Sequence, residues 1–398
     1  MEFDFTSILD RRGKDSVAFD RIPFEGYTVK EGFEPIPMWI ADMSFPVAPA
    51  VTAAIHKRME MPNYGYFNMP DEYYESIISW QKRRNGVEGL KPEHIGYENG
   101  VLGGVSAAIQ AFTSPGESIL VHSPTYVGFT EGSKNIGRPL IHSPLKRDEQ
   151  GIWRMDYEDM EEKIQRHGIR MVIFCNPHNP CGRAWERQEL ERAMEVYARN
   201  DCIVISDEIW SDIIMPGNKH IPMQSISEDA KMRTIAFYSP SKTFSLAGLV
   251  GSYHIVYNDY LHRRLVRQSA MSHYNSCNVL SMHALLGALS AEGERWAEEM
   301  IKVIDENLRY ACDVIEEKFN GVSCMRPQAT YMLYLDCTEY LARTGQSIAE
   351  LQRRGVEYGV IWQNGEAFFL PNSIRMNLAL PKARLEEAMD RLEKYVFI

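Results

Sequence analysis

No stretch of the 398 residues approaches the roughly 18 successive apolar positions of a membrane-spanning helix, so no such helix is expected. Basic charge is also scarce. With 43 Lys+Arg against 54 Asp+Glu the net charge is −11, and the longest basic run is Lys82-Arg83-Arg84. Nucleic-acid affinity rests mainly on Lys and Arg contacts to phosphates, so this balance argues against a nucleic-acid partner. The seven cysteines are an odd number with no CxxC pair, and most lie among apolar residues, as buried thiols of a cytoplasmic protein do. The acidic start, Met1-Glu2-Phe3-Asp4-Phe5, lacks the basic and apolar regions of a signal peptide, which adds to the expectation of a cytoplasmic location.

Familiar catalytic signatures are missing too. There is no GxxxxGK[ST] phosphate loop, no GxGxxG, no HExxH pair and no GxSxG elbow. The eleven histidines show no ligand spacing, so no metal is expected. No repeat or Gly/Ser linker divides the chain. Its length nonetheless predicts two or three domains at about 150 residues each.

What is present is an alternation of short apolar runs with amphipathic helical patterns. Residues 118–122, 171–174, 202–205 and 234–238 read as strands covered on both faces, because apolar residues fill successive positions. Helical patterns at 157–167 and 186–200 intervene. This order predicts an α/β fold with a mostly parallel sheet flanked by helices. After about residue 290 the pattern changes to one long charged helix over 292–319, strand candidates at 329–336, 359–362 and 373–378, and a closing helix, as in a smaller α+β domain. Boundaries follow at 1–48 for a segment joining the small domain, 49–288 for the large domain and 289–398 for the small one.

Ligands of open α/β sheets bind beyond the carboxyl ends of the strands. Polar residues gather at three such ends: Asn176-Pro177-His178-Asn179-Pro180, Ser206-Asp207-Glu208 and Ser239-Pro240-Ser241-Lys242-Thr243. Three clusters in succession point to one site. Lys242 is either a solvated loop residue or, if partly buried, an amine able to form a Schiff base with an aldehyde cofactor. Ser239 and Ser241 suit a phosphate beside it. Asp207 closes an apolar strand, where it is either a structural ion pair or cap, or the partner of a pyridine nitrogen. Asn179 is a turn residue or a donor to a ring oxygen. Tyr126 is a core aromatic or a stacking platform.

Those residues and their order resemble the fold-type I pyridoxal-phosphate enzymes of the class I/II aminotransferase superfamily, and within it the cystathionine β-lyase/cystalysin branch of C–S lyases. The resemblance runs nearly end to end, through Trp39-Ile40-Ala41-Asp42-Met43, Tyr64-Gly65-Tyr66, Asn176 to Arg183, Ser206-Asp207-Glu208-Ile209, Ser239 to Phe244 and Ile374-Arg375-Met376-Asn377-Leu378. It implies pyridoxal 5′-phosphate as cofactor, Lys242 as Schiff-base lysine and catalytic base, and Asp207 at the ring nitrogen. Asn179 would lie beside the ring hydroxyl and Tyr126 on the ring face. The phosphate would meet Ser239, Ser241 and the backbone of Val101 and Leu102, with Tyr66 reaching it from a second subunit of a homodimer. Arg375 and Ala41 would contact the amino-acid substrate. The implied reaction is β-elimination of a cysteine-type thioether, with amino-group transfer to a 2-oxo acid as the alternative. A cofactor-bearing interaction protein is the reading from another class, and no adaptor segment or charged tail supports it. Two departures stand out: Trp210 occupies a position held by Tyr or His in the relatives, and the stretch 365–372 is bulkier and poorer in glycine.

Overall fold

The computed structural model describes residues 2–398. Its main sheet has seven strands in the spatial order Ile95–Glu98, Ser252–Ile255, Thr234–Tyr238, Ile203–Asp207, Met171–Cys175, Ile119–Ser123 and Leu140–Pro144. Ser252–Ile255 runs antiparallel to both neighbours, and the remaining pairs are parallel. The expected mostly parallel sheet is therefore present, and its four predicted strands lie within a residue or two of the observed spans.

Strand alternation explains the unbroken apolar runs. In Met171–Cys175, Met171, Ile173 and Cys175 pack into one core with Val105, Ala108 and Leu265, whereas Val172 and Phe174 pack into another with Met160, Leu190 and Met194. Helices from 101–112 and 259–271 cover the first face, and helices from 157–167 and 187–199 cover the second. Gly104 lets the first of these approach closely: a Cβ there would lie 2.3 Å from Cε1 of Phe237.

A second sheet, antiparallel throughout, has the order Ser323–Cys324, Met332–Asp336, Ser373–Asn377, Gln363–Asn364. The 28-residue helix Ala291–Lys318 packs beside it, as the charged periodic stretch predicted. Residues near the start of the chain join this region. Ile36–Pro37 pairs with Val360–Ile361, and Phe5 packs against Trp296 with ring centroids 5.3 Å apart. Among the described residues, no helix is long and apolar enough to cross a membrane.

Candidate active site

The carboxyl ends of three neighbouring parallel strands deliver the three polar clusters to one cavity of about 190 Å³. Ala41, Val101, Leu102, Tyr126, Asn179, Asp207, Trp210, Ser239, Ser241 and Lys242 all line it. Arg375 borders this group, donating from Nη1 to Asn179 Oδ1 at 3.1 Å. Every predicted site residue is thus gathered here except Tyr66. That side chain is fully exposed, on a separate surface groove formed by residues 64–69 and 275–280.

The Lys242 side chain is half-buried and donates from Nζ to the Ala41 carbonyl at 3.0 Å. Burial, assisted by the positive charge of Arg375, lowers its pKa to about 8. Asp207 ends its strand inside the cavity. Its carboxylate accepts one hydrogen bond, from the Ile209 N–H at 3.1 Å, and burial pushes its pKa up to about 7. A buried carboxylate with so little compensation calls for a cationic hydrogen-bond donor, and a protonated pyridine nitrogen is one.

Asn179 is oriented by Arg375. A guanidinium only donates, so Oδ1 must face it, leaving the amide N–H groups for an acceptor in the cavity. The helix Val101–Phe112 begins after Gly100, whose φ of 78° and ψ of 151° suit glycine alone. The first N–H groups of that helix have no intrahelical acceptor and form an anion cradle at the cavity. Ser241 lines the same cavity. Ser239 is more committed: its hydroxyl donates to the Gly251 carbonyl at 2.5 Å and accepts from the Ser241 N–H at 3.1 Å. To donate to a phosphate, it must rotate away from Gly251.

Arg375 is buried, and burial draws its pKa down to about 10, still charged at neutral pH. Its hydrogen-bond partners are neutral: Asn179, the Trp39 carbonyl at 3.1 Å and Gln363 Oε1 at 2.6 Å. Nε has no partner among the described residues. A buried cation with an unused donor and no carboxylate nearby is suited to bind an anion from outside. Phe368 supports it from below, with the ring centroid 4.5 Å from Cζ. Sequence reasoning missed Gln363 and Phe368 as supports. Phe368 lies in the bulky 365–372 stretch, which offered a signal, whereas nothing in the sequence marks Gln363. Trp210 stands edge-on to Tyr331, 4.7 Å between centroids, and its ring lies 5.9 Å from Lys242 Nζ.

The residues from 37 to 392 match the family model described as aminotransferase class I and II. Cystathionine beta-lyase PatB of Bacillus subtilis is 32% identical to the chain over 403 residues, covering 98% of this chain and 99% of that relative. The crystal structure of cystalysin from Treponema denticola, which contains a pyridoxal 5′-phosphate cofactor, superposes with a TM-score of 0.91 at 27% identity, covering 99% of this chain and 98% of the other. A PLP-bound C-S lyase from Staphylococcus hominis gives 0.89 at 30% identity, with 98% of each chain covered.

Proposed function

The chain belongs to the class I and II aminotransferase family, and from that premise we propose that it is a pyridoxal-phosphate-dependent C–S β-lyase acting on an L-cysteine-type thioether. End-to-end likeness to a cystathionine beta-lyase, joined to a cavity holding Lys242, Asp207 and Arg375 together, is the observation that carries this reading.

The residues present fit the cofactor. Lys242 would hold its aldehyde carbon, Asp207 its ring nitrogen, Asn179 its ring hydroxyl and Tyr126 its face. The helix start at Val101 and Leu102, with Ser241 and a rotated Ser239, would hold its phosphate. When bound, pyridoxal phosphate supplies a sink for the electrons of the substrate's Cα–H bond. Arg375 takes the α-carboxylate as a bidentate fork and fixes Cα before Lys242. Lys242, its basicity lowered by burial, removes the Cα proton from that position. Asp207 would pair with the ring nitrogen and favour its protonated form. The thiolate leaves Cβ and is protonated, and hydrolysis of the remaining fragment gives pyruvate and ammonia. Apart from Lys242, and Arg375 which takes the α-carboxylate, the residues lining the cavity in this protomer carry no cation, which suits a substrate side chain without net negative charge.

The large domain, 49–288, holds the cofactor, and residues 1–48 with 289–398 close over it. Exposed Met61, Tyr64, Tyr66 and Phe67 form the natural face for a second copy, from which Tyr66 would reach the phosphate of the facing site. Free cysteines without a disulfide suit a cytoplasmic setting.

The test adds L-cystathionine to the purified, cofactor-loaded protein with no 2-oxo acid present. Pyruvate accumulating over many turnovers establishes the lyase. A single equivalent of keto product, with activity restored by a 2-oxo acid, establishes aminotransfer instead. Trp210 and the bulky 365–372 stretch are the features that favour that second outcome.

A further inference from the structure

Outside the cavity, two of the seven cysteines lie together. Cys312, on the helix Ala291–Lys318, has its sulfur 3.7 Å from that of Cys324, on the edge strand Ser323–Cys324. The turn between these elements is tight. Gly321 has a φ of 82°, and a Cβ there would stand 2.8 Å from the Tyr340 backbone nitrogen, so the turn fixes how the helix end faces the strand. Tyr340 N–H also donates to the Gly321 carbonyl at 2.8 Å.

The two thiols differ in access. Cys312 is fully buried, and Cys324 is half-buried. Beside Cys324 lies Arg147, whose Nη1 is 3.4 Å from Ser323 Oγ and 3.8 Å from Asp336. Its Nε and Nη2 are buried without a partner among the described residues. An incompletely paired guanidinium next to a thiol favours the thiolate. Contact with the Cys312 sulfur, helped by Arg147 and Arg326, lowers the Cys324 thiol from its ordinary value, while the same contact and burial raise Cys312. By contrast, burial raises Cys175, Cys181, Cys202, Cys277 and Cys337.

We propose that Cys312 and Cys324 form a reversible disulfide site, with Cys324 the attacking thiol and Cys312 the resolving one, taking low-molecular-weight disulfides as oxidant. The Cys324 thiolate attacks one sulfur of the small disulfide, breaking its S–S bond and releasing one thiolate. Cys312 loses its proton and attacks the Cys324 sulfur of the mixed disulfide, expelling the second thiolate. Two protein thiols are oxidised by two electrons in all, one small disulfide is reduced to two thiols, and the protein's two protons end on them. The new bond ties the helix to an edge strand. Cys324 lies opposite Leu335, and Leu335 lies opposite Ile374, the neighbour of Arg375. Oxidation therefore braces the sheet that carries the anion-binding arginine, whatever reaction the cavity performs.

The test exposes the full-length, cofactor-loaded protein to oxidised glutathione, then alkylates under denaturing conditions and maps the peptides by mass spectrometry. The expected result is a linked Cys312–Cys324 peptide that dithiothreitol separates, with the thermal midpoint a few degrees higher in the oxidised form. Cys324→Ser should abolish both effects, and Cys312→Ser should stop at a glutathione adduct on Cys324. Wild-type protein in which both thiols remain open to alkylation, or in which the Cys324 adduct persists without linking to Cys312, overturns the proposal.

Discussion

Replacing Asp207 by Asn tests whether the cavity is built around a missing cation. In the cofactor-free protein, burial raises this carboxyl from 3.8 to about 7, so the folded chain keeps a proton that the unfolded chain releases between those values. The contribution of Asp207 to the unfolding free energy therefore falls as pH rises from about 4 to about 7, and its ionised form costs the fold about 4 kcal/mol above that range. Asn retains an oxygen to accept the Ile209 N–H but cannot ionise. Cofactor-free Asp207→Asn should match the wild type near pH 4 and exceed it by about 4 kcal/mol at pH 8. Urea unfolding of both proteins across this range reads the difference directly. With pyridoxal phosphate bound the order should reverse, because only the wild type then pairs its carboxylate with a ring cation. That pairing must at least offset the burial cost of about 4 kcal/mol, and losing as much from the transition state would lower turnover about a thousandfold. A stability difference that stays flat from pH 4 to pH 8 refutes the argument from burial.

The other predictions concern the lysine, the arginine and the helix behind the phosphate cradle. The rate at which cofactor-free protein takes up pyridoxal phosphate, followed by absorbance, should rise with pH and level off above about 8, where Lys242 is neutral; a rate still climbing at pH 10 would mean an ordinary lysine. Arg375→Lys keeps the charge but loses the fork, and should raise KM by about 10- to 100-fold with a smaller change in kcat. An unchanged KM in steady-state kinetics would remove Arg375 from substrate binding. Gly104→Ala should destabilise the protein by about 1–3 kcal/mol, since its methyl would collide with the Phe237 ring. Thermal or chemical denaturation checks this, and a neutral effect would show that the helix can shift.

Legibility in the sequence followed local chemistry. Met171–Cys175 and Thr234–Tyr238 stood out because both faces of each strand are apolar, and Lys242, Asp207 and Asn179 because each follows such a run. The strands Ile95–Glu98 and Ser252–Ile255 gave no such signal. They bury Glu98 and His254, which meet at 3.0 Å, while Ser269 donates to the same carboxylate at 2.9 Å. Polar residues satisfied inside a core look like surface residues in a sequence, because their partners arrive from distant segments. Gly96 belongs to the same arrangement: it makes room for the His254 ring, 2.3 Å from where a Cβ would stand. Gln363 was hidden for a related reason. Its role comes from the neighbouring strand, opposite Arg375 in register, and not from any local pattern.

The sheet order also bears on how the chain is made. Strand Ile95–Glu98, which leads into the helix of the phosphate cradle, has Ser252–Ile255 as its sole neighbour in the sheet among the described residues, and Ile36–Pro37 waits for Val360–Ile361. On a ribosome, both early segments emerge long before their partners exist. Their hydrogen-bonding edges stay open during that interval, which exposes nascent chains to mispairing with one another. Chains truncated before residue 252 should therefore depend on chaperones or aggregate, even though they already contain most of the parallel sheet.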